Sequence, residues 1–290
     1  MNAFCKSLVG AAAGLLFAAS GAQAASVEGS LYPGTNLLSD NSAEELINAG
    51  GATDTIVDVG DHLRGIFGID TIEQLGTGNT TSLLDGSGNN ELTGVFEIAV
   101  VDKINLGPGG WLFVFGAASN FATEIGVADA AVAFYDGGPT HNYSRIDCGT
   151  SGSGGTCESN VKDGSLLWVG GFGGAAFWTA TAVSDDISAI GATPVPGNGG
   201  TFNIGLELLQ NNGTLAFNSV PCLSVPASAG LEFCGSGSLL GTAGASTPYD
   251  SFDNVDFTMD VRRIPEPASI ALVGMALLGI GATARRVKKS

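Results

Sequence analysis

At 290 residues the chain has room for one large all-β domain or two small domains. Glycine, at 45 of 290, is about twice its ~7% average, and charged residues make up 13% against the usual ~25%. A hydrophobic fraction of 44% still supports a sizeable core and excludes wholesale disorder, while a net charge of −17 excludes the basic patch that nucleic acid would need.

Residues 1–24 have the three parts of a signal peptide. Lys6 supplies the positive region, Leu8 to Ala19 the apolar region, and Ala22-Gln23-Ala24 a small-x-small site for signal peptidase before Ala25. The apolar region is too short to span ~30 Å of hydrocarbon, so it reads as cleaved and not as an anchor. Cys5 precedes that region and is not placed to become a lipidated N-terminus.

The stretch 25–263 holds six basic residues against 27 carboxylates, a net charge of −21. Such a surface suits cations or neutral glycans. The capping box Ser42-Ala43-Glu44-Glu45, with Gly50 as a stop, predicts one short helix. Strands come next. Phe96, Ile98 and Val100 alternate with Glu97 and Ala99. Gly107-Pro108-Gly109-Gly110 then turns the chain into Trp111–Phe115, which is apolar on both faces and predicts a strand buried on both sides. Ala130–Tyr135, Leu166–Phe172 and Ala175–Thr181 are further strands. Phe202, Ile204, Leu206 and Leu208 share a face, and Asn212-Gly213 supplies the positive φ of a tight hairpin into Thr214–Phe217. In the last strand Asp253, Val255, Phe257, Met259 and Val261 alternate with polar residues. Short strands with glycine-rich turns predict an all-β ectodomain, an antiparallel two-sheet sandwich of jelly-roll-like form with one short helix.

Export leaves four cysteines, Cys148, Cys157, Cys222 and Cys234, an even count that reads as disulfides. Of the three connectivities the local one, Cys148–Cys157 with Cys222–Cys234, closes two short loops. C-x-x-C spacing and histidine partners are both missing, so no metal site is read there. His62 and His141 each read as a lone surface histidine. No serine sits in a G-x-S-x-G elbow, and no H-E-x-x-H or Walker motif occurs. No catalytic residue or cofactor is assigned. Asp85-Gly86-Ser87-Gly88-Asn89-Asn90-Glu91 places oxygen-bearing side chains in a glycine-rich loop that suits calcium, although the same residues make ordinary loops. Trp168, Trp178 and Tyr143 have the chemistry to stack on sugars or to fill a core.

The tail has three parts: Pro265-Glu266-Pro267, an apolar run from Ala268 to Ala284, and the basic stop Arg285, Arg286, Lys288 and Lys289 before Ser290. The prolines keep the backbone extended. The run makes a transmembrane helix of ~25 Å, lengthened by snorkelling of Arg285 and Lys288. Positive-inside topology places residues 285–290 in the cytoplasm and the acidic domain outside. As a tripartite whole, residues 264–290 resemble the PEP-CTERM sorting signal of Gram-negative bacteria, with Ile264 where Val is usual. Phe252-Asp253-Asn254-Val255 is similar to the last strand of many members. The resemblance implies an exosortase substrate, processed at or near Pro265-Glu266-Pro267, from a family associated with exopolysaccharide, biofilm and floc matrices.

Taken together, the sequence reads as an exported protein whose precursor is held in the inner membrane with its ectodomain in the periplasm. Its mature form belongs at the cell surface or in the extracellular matrix, with extracellular polysaccharide as partner and no catalysis. The alternatives are a secreted glycan-acting hydrolase with an unrecognised carboxylate pair, and a calcium-dependent adhesin.

Overall fold

The computed structural model describes residues 26–51, 54–83, 91–108, 110–137, 154–189, 199–222, 229–241 and 249–264. Its strands in the first half are β1 (Gly34–Ile47), β2 (His62–Gln74), β3 (Asn79–Ser82), β4 (Leu92–Gly107), β5 (Gly110–Ala117) and β6 (Ala130–Asp136). In the second half come β7 (Ser165–Gly171), β8 (Phe177–Ala182), β9 (Gly200–Asn211), β10 (Leu215–Asn218), β11 (Phe233–Gly241) and β12 (Ser251–Arg263). The expected all-β, antiparallel architecture is what forms. All twelve strands, however, belong to one hydrogen-bonded sheet instead of two.

That sheet closes on itself. β2, β1, β12 and β11 lie edge to edge, and the wall is continued by β4 beside β2 and by β9 beside β11. The long strands β4 and β9 each change partner midway along their other edge. Residues 92–96 of β4 pair with β6 and residues 98–107 with β5; residues 201–205 of β9 pair with β8 and residues 207–211 with β7. The pairs β6–β7 and β5–β8 thus complete the circuit. Among the described residues, closure leaves only the four-residue strands β3 and β10 paired on one side alone, so little edge is left to invite association with other chains.

The interior obeys the period-two alternation of the strands. Val255, Phe257, Met259 and Val261 of β12 are all buried. Phe134 of β6 reaches across to Phe67 (ring centroids 5.3 Å apart), Phe233 (5.4 Å) and Phe257 (5.9 Å), which joins the two walls in one aromatic core. A second, smaller core lies on the outer side of β2, β4 and β6 under two short helices, Ser119–Ile125 and Gly154–Val161. Phe121, Cys157 and Val161 pack there against Ile66, Val95 and Ala133.

Three sequence expectations are corrected. The helix expected at Ser42–Glu45 is part of β1, whose residues pair with β2 on one edge and β12 on the other. An isolated helix that short is marginal, and two ladders of strand pairing outweigh its capping box. Strand β5 buries Phe113 and Phe115 but leaves Trp111, Leu112 and Val114 half-exposed, so it is covered on one side. The strands β9 and β10 form where expected but not as a hairpin, because β10 pairs with β12. The Asn211 carboxamide accepts from Gly213 N and donates to Leu215 O, while the Glu28 carboxylate accepts from Thr214 N and Oγ1 and from Leu215 N. These contacts pull the chain away from β9. Among the described residues no helix is long and apolar enough to cross a membrane, and the expected span 268–284 lies outside them.

Candidate functional site

The outer side of the wall formed by β8, β9, β11, β12, β1 and β2 is set by register. Since the odd residues of β12 from Val255 to Val261 face the core, Asn254, Asp256 and Thr258 face out. Opposite Asp256 stands Ser39 of β1, and beyond it Thr71 of β2. In the other direction come Ser236 of β11, Asn203 of β9, Thr179 of β8 and Val114 of β5. The next row holds Asn254, Ser238, Thr201, Thr181 and Leu112. Within it Thr181 and Thr201 share a hydrogen bond of 2.7 Å. Of all these residues one, Asp256, is charged.

A groove of about 470 Å³ runs over this wall, lined by Leu37, Ser236, Asp256 and Thr258 on the sheet and by Pro221 and Cys222 at its rim. Cys222 is bonded to Cys234 of β11, with Cα atoms 5.3 Å apart, and Val220 and Leu231 are buried around the bridge. The disulfide therefore fixes the rim to the sheet. The size falls in the range of small-ligand sites, roughly 300–1,000 Å³. By contrast the apolar cavity lined by Val57, Phe113, Ile187 and Phe202 has about 40 Å³, too little for anything beyond a water or two. Its loops are pinned by Lys103, which reaches Asp58 and Asp185 at 2.8 Å each and lies over the Trp111 ring.

The densest charge cluster is elsewhere, where the helices meet the sheet. Arg64 of β2 bonds Glu97 of β4 at 2.6 Å and Glu124 of the first helix at 3.0 Å, and also pairs with Glu158 of the second helix. Lys162 bridges the same two helical carboxylates at 2.8 and 2.7 Å. Burial pushes the Glu158 carboxyl up, but hydrogen bonds and charge from Arg64 and Lys162 outweigh it and hold the group below its ordinary value. His62 corrects another expectation. It is neither lone nor fully exposed, since its Nδ1 lies 2.7 Å from the buried Glu97 Oε1. Through Glu124 and Glu158, Arg64 and Lys162 fasten the two helices down, while Glu97 holds Arg64 in place.

A buried polar strip faces the interior from β1. Asp40, Ser42 and Glu44 lie on one side of the strand, all buried. Asp40 accepts from Val255 N and Glu44 from Ser251 Oγ, each at 2.7 Å. Burial pushes the Asp40 carboxyl well above its ordinary value; the Val255 hydrogen bond lowers it, and the charges of Glu44, Asp256 and Asp70 raise it further. Among the described residues no group of three or more histidines, cysteines or carboxylates is arranged to hold a metal.

The other residues singled out by sequence are distributed across the molecule. Trp168 and Trp178 are core residues, 0% and 3% exposed. Cys157 is buried and disulfide-bonded, and its expected partner Cys148 lies outside the described residues. So do His141, Tyr143, Asp85–Asn90 of the calcium-like loop, the leader with Ala22, Ala24 and Ala25, and the tail from Pro265 to Ser290. Sequence reasoning misses the polar wall. Its signal is present as the outward half of each alternation, in Thr179 and Thr181, Thr201 and Asn203, and Ser236 and Ser238.

These features define a closed antiparallel β protein with one open, nearly uncharged polar wall. Comparison with known protein families and with curated proteins finds no match to the chain.

Proposed function

We propose that this chain is an exported surface or matrix protein, sorted by an exosortase-type system, whose β ectodomain associates with extracellular polysaccharide without catalysis. The observation that carries the polysaccharide part is the polar wall with its groove, a surface rich in hydroxyl and amide groups on an acidic domain. Sorting rests on the sequence of the tail, Pro265-Glu266-Pro267 with its apolar run and Arg285, Arg286, Lys288 and Lys289. The signal peptide and the disulfide Cys222–Cys234 fit an oxidising compartment. In the same reading the closed sheet is a flattened, jelly-roll-like sandwich, with β6 and β7 facing β12 and β11 across the aromatic core.

Two measurements test it. Intact mass and location of the protein are compared in hosts with and without the exosortase. Loss of residues 285–290 only where the enzyme is present supports sorting, and retention in both strains overturns it. A polysaccharide hydrolysis screen on the mature protein should show no turnover. Turnover of any polymer would replace the non-catalytic reading with a hydrolase.

A further inference from the structure

The polar wall has the features to select one class of polysaccharide, provided that the domain associates with polysaccharide at all, as proposed above. We propose that the row Thr71–Ser39–Asp256–Ser236–Asn203–Thr179 binds a neutral, hydroxyl-rich polysaccharide chain laid across the strands.

Charge selects the class of polymer. Residues 25–263 carry a net charge of −21, and the two rows of the wall include no Lys or Arg. A uronate, sulfated or phosphorylated polymer meets the repulsive field of the domain and finds no counter-charge on the wall. A neutral chain meets neither obstacle.

Hydrogen-bonding capacity points the same way. Asn36, Asn48, Asn211 and Asn218 all spend their carboxamides on the protein itself. Asn203 and Asn254 do not, and neither do the hydroxyls of Ser39, Thr71, Thr179, Ser236 and Ser238, whose side chains form no hydrogen bond among the described residues. These groups are donors and acceptors in the same positions, which is what sugar hydroxyls require. They stand one per strand at the ~4.8 Å spacing of neighbouring strands, so the six-strand row extends over roughly 24 Å.

Shape gives the chain a direction. The disulfide-fixed rim at Pro221 and Cys222 rises beside Ser236 and Asp256, and Leu37 adds an apolar contact for sugar C–H faces. No aromatic side chain stands in the row, so attachment there depends on many modest hydrogen bonds in place of ring stacking. A long polymer should therefore hold much better than a short oligosaccharide, through repeated engagement.

The test is native electrophoresis of the mature protein in gels cast with hydroxyethyl cellulose, dextran or alginate. Retardation by a neutral polymer is expected, insensitive to added salt, with none by alginate. The variant Thr179→Ala/Asn203→Ala/Ser236→Ala should lose about fivefold in affinity for each deleted contact while melting like the parent protein. Retardation of parent and variant alike would overturn the assignment to this wall but leave polysaccharide association standing. Retardation by alginate alone would overturn neutrality. Failure of every polymer to retard the parent would overturn both this inference and the association it rests on, whereas the sorting result is decided separately by intact mass.

Discussion

Arg64 of β2 and Glu97 of β4 stand directly opposite one another in the sheet, and Arg64 Nη1 donates to Glu97 Oε2 at 2.6 Å. Glu97 is 3% exposed, so its charge depends on Arg64 for compensation. The same guanidinium also holds Glu124 and Glu158 on the two helices. Removing one partner of a buried pair costs about 3–5 kcal/mol because the other charge is left behind. Arg64→Ala is expected to fall in that range by urea denaturation. Arg64→Lys, which keeps the charge but loses the planar fork, should lose less. If Arg64→Ala cost no more than an ordinary surface change, the cluster would not be what fastens the helices.

Asp40 gives stability a pH dependence opposite in sign to that of a salt-bridged carboxylate. Burial is the main cause of its raised pKa, with Glu44, Asp256 and Asp70 adding to it against the Val255 hydrogen bond. The folded state therefore keeps a proton that the unfolded chain has lost, and stability falls as pH rises from about 4, the ordinary aspartate value, to the raised folded value. Asp40→Asn retains an acceptor for Val255 N–H and removes the titration. It is expected to be more stable than the parent protein at neutral pH, with the difference vanishing below about pH 4. A difference that stays constant with pH would show that Asp40 ionisation is not responsible.

Much of the sheet was legible because burial imposes period two. Val255 to Val261 and Phe202 to Leu206 read directly as strands with an inner face. What could not be read was which strand lies beside which. The Asn212-Gly213 pair has the letters of a hairpin, yet its outcome is set by Glu28, which bonds Thr214 across 186 positions of sequence. Ser42–Glu45 has the letters of a helix cap, yet two neighbouring strands claim it. The polar wall is the same problem at larger scale. Each Ser, Thr or Asn looks like an ordinary outward residue, and only cross-strand register reveals that five of them stand in line with Asp256.

The Glu28 contact is itself open to measurement. Its buried carboxylate, on the 3₁₀ turn Val27–Ser30, accepts from Thr214 N and Oγ1 at 2.9 and 2.7 Å and from Leu215 N at 3.2 Å. Hydrogen bonds to a charged group contribute about 1.5–3 kcal/mol each. Glu28→Ala is expected to cost at least about 3 kcal/mol, and Glu28→Gln less, since one acceptor oxygen remains. A Cβ at residue 213 would run into the same carboxylate, so Gly213→Ala should destabilise by a comparable route. Equal stabilities for all three variants and the parent would mean that the N-terminal turn does not position β10.

The bridge Cys222–Cys234 spans 12 residues of sequence, and cross-linking a loop of that order stabilises by about 3 kcal/mol through the unfolded state. Chemical reduction is a poor probe, because Cys157 is disulfide-bonded as well. The double variant Cys222→Ser/Cys234→Ser isolates this bridge and should lose about 3 kcal/mol in urea unfolding. Its further effect should be local. Val220, Leu231 and the bridge form a small cluster separate from the main core, so hydrogen exchange should accelerate at residues 219–222 and 229–234 while the amides of β4 and β6 keep their protection relative to global stability. Uniform loss of protection across the sheet would show instead that the rim and the main core unfold as one unit.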